Sequence, residues 1–292
     1  MSIFGILAQG FETAVRRAKL AVYLWLTHLV FGALLVAPLY FIFQKEFSRS
    51  LMGGKLLSGP EALWLGDFIF EYQNLGPVFL GWLLVIAVLY AVARIFLNGG
   101  VVGRLAAGHG PTTLRDFFES GAEYFWRLAR VFLVSVLGYI LVFAVAGSLL
   151  GLPFRPWMKN ASTQWTTLIA SALRLLAFLL LFSIVKLFFD YVKVILVAED
   201  KRGALRTTLG SFGFVGRGFF KVWSIFLIVG MTFIAVTAAY LVVGRLLPRS
   251  GAIPALALFL WQQVYVFAAG WLGVLFFATE YHYWKAQQVI RG

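Results

Sequence analysis

Apolar residues run through this chain in long unbroken stretches separated by short basic ones, and the length of each stretch assigns it. A helix needs about 20 predominantly apolar residues to cross a hydrocarbon core of roughly 30 Å. Six segments meet that requirement: 20–43, 78–97, 131–150, 166–197, 222–243 and 254–279. These runs are continuously apolar, without the in-out alternation of a membrane β-strand. Inside lipid, a helix satisfies its own backbone polar groups. The pattern therefore predicts an all-α fold, a polytopic membrane helical bundle of about six transmembrane helices forming a single membrane domain over residues 1–292. Segment 166–197 would extend about 48 Å at 1.5 Å per residue, so it must tilt or protrude from the hydrocarbon.

The connections on one side carry a second pattern. Residues 113–130 place Leu114, Phe117, Phe118, Ala122, Phe125 and Leu128 on or near one face with charges opposite. That is the signature of an interfacial amphipathic helix. Thr112 or Thr113 followed by Asp116 offers a start signal, after a break at Gly108, Gly110 and Pro111. Similar basic amphipathic segments precede the fifth span, at 204–223, and the first, at 11–24. The shared order of amphipathic segment, span, outer loop and span suggests three repeated hairpin units of about ninety residues. The longest polar stretch, 44–76, carries Glu61, Leu63, Trp64 and Phe68 and is expected to lie on the outer surface. Gly147 and Gly151 form a small-xxx-small pair suited to close helix packing.

Composition agrees and charge supplies orientation. Hydrophobic residues make up 61% of the chain and charged ones 13%, against about 45–50% and 25% in soluble domains. One set of helix ends holds Arg16, Arg17, Lys19, Arg104, Arg115, Arg127, Arg130, Lys201, Arg202, Arg206, Arg217, Lys221, Lys285 and Arg291. The other holds half as many: Lys45, Arg49, Lys55, Arg155, Lys159, Arg245 and Arg249. By the positive-inside rule both termini face the cytoplasm. Arg16 and Arg17 precede an apolar run too long for a signal-peptide core, so it reads as a retained first span. The net charge of +13 comes from cations beside apolar runs, which points to anionic membrane lipids as partners and away from nucleic acid.

Candidate chemistry is sparse. With no cysteine, disulfides, thiolate metal sites and cysteine nucleophiles are excluded. Imidazole comes only from His28, His109 and His282; a lone intramembrane His28 suits an interhelical hydrogen bond, as do Gln262 and Gln263. Phosphate-loop, serine-hydrolase, zinc-protease and aspartate-rich magnesium motifs are absent, so no catalytic residue, metal site or cofactor is assigned. Ionisable residues inside a membrane are costly and mark candidate sites. The fourth span carries four: Arg174, Lys186, Asp190 and Lys193. Helical spacing puts the last three on one face, a Lys-Asp-Lys ladder that either lines a polar path or locks the helices as an ion pair. Arg174 lies well off that face and is read as a headgroup anchor, like Arg94. Residues 280–285 read as an aromatic belt with charges at the end of the last span.

Residues 99–121 (GGVVGRLAAGHGPTTLRDFFESG) and 198–209 (AEDKRGALRTTL) carry a resemblance. Over about 98–226 the chain is similar to a loose group of uncharacterised bacterial multi-pass membrane proteins, among them the membrane domain attached to some glycerophosphoryl diester phosphodiesterases. In that group a Gly-Gly turn leads into an amphipathic helix, and an acidic residue leads into the fifth span. The resemblance implies a bacterial inner-membrane fold. The chain matches the membrane part alone, so the phosphodiesterase activity is not carried over.

Three functional expectations follow. The first is a non-enzymatic membrane protein that assembles with a protein partner or a second copy, or organises lipid. The second is a small transporter or flippase using a polar path beside Lys186 and Asp190. The third is a lipid enzyme, for which Glu199, Asp200 and His282 are the candidates.

Overall fold

The computed structural model describes residues 2–47, 70, 72–108, 110, 112–149, 163–248 and 251–291. Glu61, Leu63, Trp64, Phe68, His109 and Gly151 lie outside the described residues, as do Arg49, Lys55, Arg155, Lys159 and Arg249. The described residues form eight α-helices and one 3-10 turn, with no strand among them. We label the helices α1 (Ile3–Arg16), α2 (Ala18–Phe47), α3 (Gly76–Ala106), α4 (Leu114–Leu149), α5 (Gln164–Ala198), α6 (Ala204–Arg217), α7 (Phe219–Leu246) and α8 (Ala252–Arg291). Six of them, all but α1 and α6, are long and apolar enough to cross a membrane. The protein is thus a multi-pass membrane protein of the all-α class.

The element order repeats: a basic amphipathic segment feeds a span, and a second span follows, as α1–α2–α3, then α4–α5, then α6–α7–α8. One expectation changes. The amphipathic stretch 113–130 is not a separate interfacial helix, because α4 runs on without a break from Leu114 to Leu149. Both halves are good helix formers, and no Gly or Pro stands at their junction to end the hydrogen-bond ladder. In the other two copies the short helix does stop, at Arg17 and at Gly218. The start of α4 is set by a reciprocal cap. Asp116 N–H donates to Thr113 Oγ1 and Thr113 N–H to Asp116 Oδ2, each at 3.2 Å, satisfying two orphan donors.

The chain divides into two compact units. One comprises residues 1–13, 98–227 and 276–292. Within it α4, α5 and α6 pack on one another. Close approach is built on glycine: a Cβ at Gly100 would meet the Phe117 ring at 2.6 Å, and one at Gly103 would meet Ser120 Cβ at 2.8 Å. The Gly-Gly run before α4 is therefore a packing face, with Phe117 buried at 1% exposure. Gly138 similarly admits the Phe189 ring of α5.

The other unit comprises residues 14–97 and 228–275. Here tryptophan indoles serve carbonyls that helix irregularities leave free. Pro38 inside α2 has no N–H to give to Leu34 O. Trp82 Nε1 of α3 donates to that oxygen at 3.3 Å. The stop after α1 likewise leaves Ala14 O to Trp271 Nε1 at 3.3 Å. In hydrocarbon, with no water to substitute, such repairs are what permit a break. His28 bonds Leu24 O at 2.6 Å and Tyr90 Oη at 3.0 Å, and Trp25 Nε1 donates to Gln263 Oε1 at 3.0 Å, so both polar side chains tie helices together.

Candidate functional site

The spacings 186–190 and 190–193 are helical i,i+4 and i,i+3 steps, so α5 alone brings its three charges together. Asp190 takes one lysine on each oxygen: Lys186 Nζ at 2.5 Å on Oδ2 and Lys193 Nζ at 2.7 Å on Oδ1. The carboxylate is 7% exposed, while the Lys186 side chain retains 43% and Lys193 21%. Aromatic faces complete the cation shells. Lys186 Nζ lies 5.3 Å from the Phe226 ring centroid on α7 and 5.1 Å from that of Phe276 on α8; Lys193 Nζ lies 6.0 Å from Phe277. A ring face offers a cation partial compensation where water is absent.

A fourth charged residue joins them. Glu280 on α8 is 2% exposed, and neither of its oxygens has a hydrogen-bond partner among the described residues. It interacts electrostatically with Asp190, Lys186 and Lys193. Beside it the hydroxyl of Tyr191 is also buried without a hydrogen-bond partner among the described residues. Tyr139 of α4, stacked on Phe182, feels the charges of Asp190 and Lys186. The belt reading of 280–285 is corrected here: Glu280 and Tyr283 are both 2% exposed and face the interior. A signal for this was in the sequence, since Phe276, Glu280 and Tyr283 follow an i, i+4, i+7 spacing that places them on one helix face.

Arg174 stands apart, twelve residues before Lys186 or about 18 Å along the helix, and makes no ion pair among the described residues. The acid-base candidates have separate partners. Glu199 accepts from Trp284 Nε1 and Gln288 Nε2, each at 3.1 Å, and pairs with Lys201 at 2.5 Å. Asp200 pairs with Arg127, and His282 Nε2 bonds Thr13 Oγ1 at 2.8 Å. Asp200 also has a positive φ of 48° and closes α5: Lys201 N–H returns to Leu196 O at 2.9 Å and Asp200 N–H to Val197 O at 3.3 Å. Its acidic character therefore serves a turn and an ion pair.

The basic ends form a second candidate surface. A cleft of about 660 Å³ at the start of α6 is lined by Lys201, Arg202 and Arg206. Another of about 590 Å³ at the α6–α7 break is lined by Arg217, Lys221, Tyr283 and Gln287. The Tyr283 hydroxyl occupies the place a Cβ on Gly218 would take, which is why glycine stands at that break. Leu205, Leu209, Phe212 and Phe220 project outward around these clefts, each at least 60% exposed. On α1, Phe4 and Phe11 are also exposed, at 78% and 54%.

No protein-family model, curated protein or solved structure matches this chain.

Proposed function

We propose that this integral membrane protein acts without catalysis in a bacterial inner membrane, binding and organising anionic lipid at the cytoplasmic face and offering that face to a protein partner or second copy. The supporting observation is the pairing of outward apolar side chains with basic clefts on α6. Such a helix inserts its apolar side at the headgroup boundary while its cations meet phosphate. The excess of Lys and Arg on this side supports a cytoplasmic orientation for it and for both termini.

Purification in mild detergent followed by native mass spectrometry tests the reading. Anionic phospholipid is expected to remain bound. Replacing Arg217 and Lys221 together by Gln is expected to weaken retention by roughly 2 kcal/mol, at about 1 kcal/mol per cation near the surface. A strictly monomeric particle carrying neither lipid nor protein would overturn it.

A second reading, a small transporter, is favoured by one observation: among the described residues Glu280 and Tyr191 are buried without hydrogen-bond partners near Lys186 and Asp190. It predicts uptake into proteoliposomes that falls when Lys186 becomes Leu. Lys186 is committed to Asp190 in this conformation, which leaves the lipid-organising role better supported.

A further inference from the structure

Four charged side chains meet in one unit, and their charges balance only when all are ionised. Lys186, Asp190 and Lys193 together carry one surplus positive charge. Asp190 has an ammonium on each oxygen, so among the described residues Glu280 is the carboxylate left to answer that surplus. Yet Glu280 is bonded to neither lysine, and both of its oxygens are enclosed without a hydrogen bond among the described residues. A buried carboxylate in that condition carries a desolvation cost that its neighbours only partly offset. Taking up a proton removes the cost and leaves the surplus charge on the lysines unanswered. Lys186 is the least enclosed member of the ladder, its side chain 43% exposed while Asp190 is 7%, so it offers the face at which an anion can reach that charge.

We propose that this cluster is a proton-linked anion site, in which Glu280 binds a proton and the surplus positive charge at Lys186 and Lys193 then holds one small anion. The step balances simply. A proton from solvent joins the Glu280 carboxylate, the cluster goes from neutral to singly positive, and a monovalent anion restores neutrality. The groups that face this exchange are Lys186, Asp190, Lys193 and Tyr191 on α5, Tyr139 on α4, and Tyr283 on α8. The Tyr191 hydroxyl, unbonded and buried, is the neutral donor available to the incoming anion or to the Glu280 carboxyl. The two ligands favour each other because each removes the charge imbalance the other creates, and linkage makes that preference reciprocal. The inference goes beyond the lipid role and does not depend on it.

The test uses the full chain in mild detergent and weak buffer, titrated with chloride against gluconate at constant ionic strength, with proton uptake followed by a pH indicator. At a pH where Glu280 begins ionised, chloride is expected to draw in about one proton per chain at saturation, and its apparent affinity to fall about tenfold per pH unit as pH rises. Glu280→Gln, a permanent mimic of the loaded state, is expected to bind chloride with no proton uptake and no pH dependence. Lys186→Met is expected to lose both. A wild-type chain that shows no chloride-linked uptake, or uptake that persists in Glu280→Gln or Lys186→Met, overturns the proposal. If a variant fails to fold, the wild type still decides: chloride affinity independent of pH refutes it.

Discussion

Asp190 is the residue on which the α5 cluster turns, and its removal separates neutralisation from packing. Asp190→Asn keeps the shape but leaves Lys186 and Lys193 without the carboxylate they bond, with Glu280 to answer two cations. Breaking a buried pair this way costs about 3–5 kcal/mol. Because Lys186 is 43% exposed and so only partly enclosed, we expect the lower end, about 3 kcal/mol, read from unfolding in detergent. The combined Lys186→Met, Asp190→Leu, Lys193→Met, Glu280→Gln variant is expected to recover most of the loss, since it removes all four charges of the cluster together. A quadruple variant less stable than Asp190→Asn would show that the charged cluster itself holds the helices. The three α5 members were legible in the sequence because their contacts lie within two helical turns. Glu280 was not, although it meets the same groups. Its partners are some ninety positions away, and its neighbours Tyr281, Tyr283 and Trp284 match an interfacial belt equally well.

Among helices, the informative features are the breaks and what repairs them. Pro38 removes the donor for Leu34 O, and Trp82 supplies another from α3. Trp82→Phe is therefore expected to cost about 1 kcal/mol, the order of one hydrogen bond, because the freed carbonyl finds no water in hydrocarbon. In a Pro38→Ala background the helix closes its own bond, and the same Trp82→Phe change is expected to cost only its small packing difference. A double-mutant cycle by unfolding in detergent measures this, and equal costs in both backgrounds would refute the repair. The α3–α4 approach makes a steric counterpart. Gly100→Val drives a side chain into the Phe117 ring, and overpacking of this kind costs about 1–3 kcal/mol. The six long helices could be read in advance because hydrocarbon thickness dictates a minimum apolar length. The continuity of α4 could not, since a change from amphipathic to fully apolar character at residue 130 resembles a boundary while the backbone has no reason to stop there.

For the whole molecule, six candidate spans are an even number, which predicts that both termini emerge on one side. The distribution of cations predicts the cytoplasmic side for them, because the ends that carry Arg16, Arg104, Arg127, Lys201 and Lys285 hold twice the Lys and Arg of the opposite ends. Moving such residues through the hydrocarbon is far costlier than leaving them where they were synthesised, and anionic headgroups hold them there. The chain has no cysteine, so a single introduced thiol reports its own position without background. Gln9→Cys in α1 and Gln287→Cys in α8 are expected to resist a membrane-impermeant maleimide in intact cells and to react once the inner face is opened. Gly251→Cys, in the turn before α8, is expected to react from outside in intact cells. Labelling of Gln9→Cys and Gln287→Cys from opposite sides would refute an even number of spans. Labelling of both from outside would keep the six spans and reverse the orientation, placing the basic clefts of α6 away from the anionic cytoplasmic leaflet that the proposed lipid role requires.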